Sequence, residues 1–266
     1  GAGALIPFTF NSAGVPTKGT AVTPTTKGFV NPTQVLINPY NNAIGWVIDG
    51  GAAVTGQVTG ARVITLSTKG APTVAGTAAA SLAGAYAMAV APKDAMAGMI
   101  TSPTQNKICV YTPNATTGAL PATTSTANGL SSGCLTVANG QPRGIAYHPS
   151  SRYIYVVFSG TNTVGTYAAS GNPLAFSATN TLGTTTNLVA TGATPYNIAV
   201  EPSGNYAYVT NAGDGTVSMY KICQISRNTG VLPCTAGTLS SLGTVLVEAS
   251  NSNPIQISAD KSTVYV

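Results

Sequence analysis

An all-β fold built from a repeated four-stranded unit follows from three observations. An anchor segment recurs with starts at residues 32, 85, 142, 195 and 254, giving spacings of 53, 57, 53 and 59. Each anchor is followed by short runs rich in β-branched and aromatic residues, separated by Gly, Pro, Asn and Thr, the chemistry of strands and tight turns. No convincing amphipathic helix longer than two turns can be traced in the 266 residues.

The anchors supply the first strand of each unit. Pro142-Arg-Gly-Ile-Ala-Tyr-His-Pro149 aligns with Pro195-Tyr-Asn-Ile-Ala-Val-Glu-Pro202 and with Pro32-Thr-Gln-Val-Leu-Ile-Asn-Pro39. Ala85-Tyr-Ala-Met-Ala-Val-Ala-Pro92 and Pro254-Ile-Gln-Ile-Ser-Ala-Asp260 are weaker copies. The second strands are expected at Ala43–Ile48, Ala97–Thr101, Tyr153–Phe158, Tyr206–Thr210 and Thr263–Val266. The third are expected at Arg62–Leu66, Lys107–Tyr111, Thr163–Tyr167 and Thr216–Tyr220, each followed by a Thr-Gly-type turn and a ragged fourth strand. Four short antiparallel strands, repeated along the chain, are the pattern of a β-propeller.

The arithmetic predicts five blades in a single domain spanning 1–266. Four cover about 32–84, 85–141, 142–194 and 195–253. The fifth is expected to combine residues 254–266 with 1–31, because the chain stops after two strands of its last unit and Ala4–Phe10 reads as a third strand. Closing the ring in this way would remove the exposed sheet edges that invite aggregation.

Composition narrows the function classes. Only 6% of residues are charged, against about 25% in an ordinary soluble domain. The net charge of +5 comes from 11 Lys and Arg scattered singly against 6 Asp and Glu. Phosphate recognition requires cations converging on one face, so no nucleic-acid partner is expected. No apolar stretch approaches the roughly 20 residues of a membrane-crossing helix, so no membrane span is expected. The N-terminus lacks the basic and apolar regions of a signal peptide, so any leader is expected to lie outside this numbering.

The four cysteines, Cys109, Cys134, Cys223 and Cys234, lack metal-ligand spacing, and the single histidine cannot complete a zinc site. Cys109 and Cys223 occupy equivalent third-strand positions, and Cys134 and Cys234 return after the following turn. Disulfides Cys109–Cys134 and Cys223–Cys234 are therefore expected, each constraining the unfolded chain by roughly 3 kcal/mol. They imply an oxidising compartment and a secreted, extracellular or cell-surface protein.

The segment Asn205-Tyr-Ala-Tyr-Val-Thr-Asn211, followed by Gly215-Thr-Val-Ser-Met-Tyr220 and preceded by Pro195-Tyr-Asn-Ile-Ala-Val200, resembles the YVTN-type β-propeller repeat. The resemblance extends over about 32–266 and is strongest over 142–222. That family includes surface-layer and secreted proteins and is similar to the lactonase-like propellers. Its members usually have seven blades, from which a count of five departs.

Side chains suited to catalysis are sparse. The only histidine, His148, falls in a turn whose equivalents are Asn38, Ala91, Glu201 and Asp260, which reads as a solvated slot. Asp49 and Asp214 follow second strands, where calcium with backbone carbonyls is an open alternative. No cofactor and no metal site is expected. One constellation remains, at the mouth of the central channel: Arg143 with Tyr86 and Tyr196, accompanied by the amides Gln34, Asn197 and Gln256. It suits a small polar ligand, an anion or a glycan, and equally a packed, water-filled funnel with no task.

The expectation drawn from these features is a non-enzymatic extracellular propeller with a structural or adhesive role. Its partners would be further copies of itself, in an oligomer or filament that donates N-terminal strands to a neighbour, or other surface components. A lactonase-like hydrolase using Arg143, or a glycan-binding module, is the alternative.

Overall fold

The computed structural model describes residues 3–23, 28–51, 59–67, 71–92, 98–114, 116–120, 133–137, 140–168, 188–223, 234–247, 254–260 and 262–266. These contain β-strands throughout. β1 (Phe8–Phe10) and β2 (Pro16–Lys18) form an N-terminal hairpin. Four antiparallel meanders of four strands follow. The first is β3 (Pro32–Ile37), β4 (Ile44–Asp49), β5 (Gly60–Leu66) and β6 (Pro72–Ser81). The second is β7 (Met88–Val90), β8 (Gly98–Ser102), β9 (Lys107–Tyr111) and β10 (Cys134–Thr136). The third is β11 (Pro142–Tyr147), β12 (Tyr153–Phe158), β13 (Thr163–Ala168) and β14 (Leu188–Ala190). The fourth is β15 (Pro195–Val200), β16 (Tyr206–Asn211), β17 (Thr216–Ile222) and β18 (Leu239–Leu246). A last hairpin pairs β19 (Gln256–Ile257) with β20 (Val264–Tyr265).

The sheets pack face to face like the blades of a propeller, and side-chain alternation explains how. Ile154, Val156 and Phe158 of β12 join the core shared with the second blade, beside Met99 and Ile108. Tyr155 and Val157, on the opposite face, join the core shared with the fourth blade, beside Ile198, Val209 and Tyr220. A second strand buried on both faces must be apolar at nearly every position, and Tyr-Ile-Tyr-Val-Val-Phe is such a run. β4 follows the same rule, with Trp46 and Ile48 facing the second blade and Val47 facing Phe29 and Leu5.

Ring closure departs from the sequence expectation. Among the described residues β1–β2 and β19–β20 form separate two-stranded sheets rather than one shared blade, and no sheet joins the two ends of the chain. The head of the chain folds back locally instead. Gly3 bridges Phe29 and Leu5 bridges Val22, so this segment runs along the stretch leading into β3. Repeat length fixes the size of a blade, whereas the number of blades that close a ring depends on the angle at which neighbouring faces pack. A spacing of 53 to 59 residues does not encode that angle.

Both disulfides form. Cys109 and Cys134 are directly opposed partners on β9 and β10, and Cys223, just after β17, bonds Cys234 in the approach to β18. Two structural disulfides point to an extracellular or periplasmic setting. Among the described residues no helix is long and apolar enough to cross a membrane.

Candidate functional site

A proline opens the innermost strand of three blades, and an extra residue follows it. Pro32 pairs with Asp49 but the next pair is Gln34 with Ile48. Pro195 pairs with Asn211 but the next pair is Asn197 with Thr210. Between Pro142–Phe158 and Ile145–Val156 two residues oppose one. Such a bulge turns a side chain out of the pleat and re-aims it, and proline at the strand start costs no ladder bond. The side chains at this slot are Thr33, Arg143 and Tyr196, with Tyr86 at the equivalent place ahead of β7.

Threonines across the joints hold the bulged backbone. The Thr33 hydroxyl donates to the Tyr86 carbonyl at 2.6 Å, and the Thr101 hydroxyl donates to the Arg143 carbonyl at 2.6 Å. Gly144 is needed beside Arg143, because a Cβ there would lie 2.6 Å from the Asn197 Cα on the neighbouring blade.

Three consecutive blades thereby bring Tyr86, Arg143 and Tyr196 together. The two phenol rings meet edge to face with centroids 5.2 Å apart. The Arg143 guanidinium carbon lies 5.3 Å from each ring centroid. Its Nε donates to the Ser159 hydroxyl at 3.0 Å, and that hydroxyl donates to the Gln141 carbonyl at 3.2 Å. All three side chains are half-buried. Burial raises the Tyr86 phenol well above its ordinary range; its bond with Tyr196 adds to this, and the Arg143 charge opposes it only in part. Tyr86 is therefore a neutral donor throughout the working pH range.

The other residues expected at the mouth make contacts of their own. Gln34 is spent on a joint between blades, its Oε1 accepting from Met88 N at 2.6 Å. Asn197 turns inward, its Oδ1 accepting from Ile198 N at 2.9 Å. Gln256 lies exposed on β19. Ser159 and Thr101 belong to the site's support and carry no motif that reveals them.

The acidic candidates have structural work. Asp49 is fully buried, accepts N–H bonds from Val30 and Asn31, and stands 3.9 Å from the Arg62 Nε. A second cation is unwelcome beside that guanidinium. Asp214 accepts from Ala193 N at 2.8 Å and from the Thr216 hydroxyl at 2.6 Å. Burial pushes its carboxyl up, but these bonds outweigh that and hold it below the ordinary carboxylate range. Among the described residues no three His, Cys, Asp or Glu side chains gather as a metal site.

His148 is not in a solvated slot. It is buried, as are its equivalents Asn38, Ala91 and Glu201, because this turn tucks against the next blade. Ser150 N donates to its Nδ1 at 3.1 Å, which leaves Nε2 to donate to the Gly204 carbonyl at 3.1 Å. The ring stands edge-on to Tyr153 at 5.9 Å. Burial lowers its pKa, and the Gly204 carbonyl opposes this. The folded state thus takes up a proton less readily than the unfolded chain. The corresponding stability is complete above the unfolded value of about 6.5 and declines as pH falls below it. Wild type should lose more melting temperature between about pH 7.5 and 5 than His148→Asn, which places the residue of the first blade in the slot. Equal losses in the two proteins would refute this account.

Residues 104–233 match the family described as Lactonase, 7-bladed beta-propeller. No match is found among curated protein sequences. Among solved structures the chain resembles a putative 6-phosphogluconolactonase from Bacteroides fragilis, at 15% identity and TM-score 0.68, covering 98% of this chain and 69% of that one. It also resembles a putative 6-phosphogluconolactonase from Bacteroides uniformis, at 14% identity and TM-score 0.69, with coverage of 98% and 69%. The periplasmic gluconolactonase of Pseudomonas aeruginosa is similar at 12% identity and TM-score 0.67, with coverage of 97% and 69%. At these identities the structural likeness establishes the propeller fold.

These likenesses correct three expectations. The matched family has seven blades, not five. The resemblance holds for a β-propeller family rather than for YVTN repeats in particular. The reading as a non-enzymatic structural, adhesive or filament-forming protein gives way, because the matched family and these neighbours are lactonases by name.

Proposed function

We propose that this chain is a lactonase-like hydrolase of the extracellular or periplasmic space, working at the Tyr86–Arg143–Tyr196 centre. The observation that carries the reading is the family match over 104–233, a span that contains Arg143, Ser159 and Tyr196. The chemistry of the trio is compatible with it. A guanidinium donates N–H bonds to an oxygen that gains negative charge as water attacks a lactone carbonyl. The ring C–O bond then breaks, the leaving oxygen takes a proton, and a hydroxy acid results. Two phenol faces give a sugar-like ring an apolar bed.

The test is turnover of a panel of sugar and homoserine lactones. Wild type is expected to hydrolyse at least one, and Arg143→Ala to reduce kcat by about 10²–10³-fold, the usual effect of removing an oxyanion donor. No turnover of any lactone by folded wild type would end this reading.

A further inference from the structure

Among the described residues Arg143 has no counter-ion. Every described carboxylate is engaged elsewhere or stands at a different end of a blade. Asp49 faces Arg62, Asp214 is bonded by Ala193 and Thr216, Asp260 is bonded by Ser262, and Glu201 lies buried in the turn after β15. Among the described residues the Arg143 guanidinium meets only neutral groups: the Ser159 hydroxyl, the Tyr86 hydroxyl and the two phenol faces. The contrast within the chain is informative. Arg62, which is fully buried, is given Asp49 as a partner. Arg143 is half-buried and is given none.

A partly desolvated cation is stabilised by aromatic faces, but less than by an anion in the same place. With its Nε held by Ser159, the guanidinium is fixed in orientation while its two terminal nitrogens retain donors. That fork matches a carboxylate. Lactone hydrolysis creates one: the ring enters uncharged and leaves as a hydroxycarboxylate.

We infer that Arg143 is a carboxylate receptor for the ring-opened hydroxy acid, so that the site binds its product in preference to uncharged substrate and is inhibited by it. The inference rests on the proposed hydrolase reading for the identity of the acid. Its physical basis, a guanidinium that meets only neutral groups among the described residues, does not depend on that reading.

The probes are sodium D-gluconate and D-glucitol, which share a carbon chain and differ in carrying a carboxylate or an alcohol at one end. Calorimetric titration of the full chain at constant ionic strength is expected to show gluconate binding at least about tenfold more tightly, the range of one charge-assisted hydrogen bond. Arg143→Gln should abolish the difference. Arg143→Lys should keep only part of it, since an ammonium lacks the fork. Melting curves of both variants establish that they are folded, and Ser159→Ala, which frees the guanidinium to rotate, should narrow the gap in a protein that keeps its charge. Equal affinity for gluconate and glucitol, or a preference that survives in folded Arg143→Gln, would overturn the inference. Lactone turnover without gluconate preference removes the receptor and leaves the hydrolase. Gluconate preference without any lactone turnover keeps the receptor and removes the hydrolase.

Discussion

Replacing Asp49 by alanine is expected to destabilise the protein by about 3–5 kcal/mol, the usual effect of stranding one member of a buried ion pair. Both Asp49 and Arg62 are 0% exposed. Arg62 reaches the Gly28 carbonyl at 3.3 Å and lies 5.5 Å from the Phe29 ring centre. Burial lowers its pKa, and Asp49 opposes that shift. Removing the carboxylate therefore leaves a buried cation without its main compensation. It also strips an acceptor from the N–H groups of Val30 and Asn31, which lie at 3.0 and 2.7 Å. Those amides belong to the stretch that carries the chain from the N-terminal hairpin into β3, so the loss falls on the seating of the first blade. Asp49→Asn combined with Arg62→Met removes both charges and retains an acceptor for the amides. The double variant should be markedly more stable than Asp49→Ala, because an uncharged pair of similar bulk avoids the penalty of desolvating a charge. Urea unfolding of the three proteins decides. A loss below about 1 kcal/mol for Asp49→Ala would show that the pair is no more than a surface-grade interaction.

The strands and the disulfides were legible because local chemistry determines them. Alternation, β-branching and turn residues act over a few positions, and Cys109 faces Cys134 once β9 and β10 are paired in register. The Tyr86–Arg143–Tyr196 cluster was legible for a related reason: the repeat places all three in one slot, and one slot on successive blades lies at one end of the channel. What escaped depends on contacts between blades. His148 reads as a turn residue, yet its partner Gly204 is 56 positions away on the next blade. Gln34 reads as a channel amide, yet it is taken up by Met88, 54 positions away. Asn197 is lost to a bond with its own neighbour, a choice of rotamer that no pattern of residue types specifies. Blade number is the extreme case, because it is a property of the packing angle and of no single residue. Scarcity of acids and histidines is no measure of chemistry either, because a fixed arginine can stabilise an oxyanion without them.

The joints between blades also carry the second large effect, at Trp46. Its indole is 0% exposed, and its Nε1 donates to the Gly118 carbonyl at 2.7 Å, in the turn after β9 of the next blade. Tyr155 occupies the equivalent position on β12 and donates to the Gly237 carbonyl at 3.0 Å, in the turn before β18 of its own next blade. Both acceptor glycines have positive φ, 70° and 80°, so each turn offers its carbonyl in a geometry that side-chain-bearing residues adopt with strain. The device is thus an aromatic pin: ring buried in one blade, polar tip fastened to the turn of another. Met99 fills the same slot on β8 and has no such tip. Trp46→Ala should cost about 3–5 kcal/mol through the cavity and the orphaned carbonyl together. Trp46→Phe and Tyr155→Phe retain most of the apolar bulk and lose the donor, so each should cost about 1–3 kcal/mol. Met99→Leu changes shape alone and should stay below about 1.5 kcal/mol. That order, read from urea unfolding midpoints, separates pinning from simple filling. If the two phenylalanine variants unfold with wild type, the carbonyls are served by water, and the blades are joined by apolar packing alone.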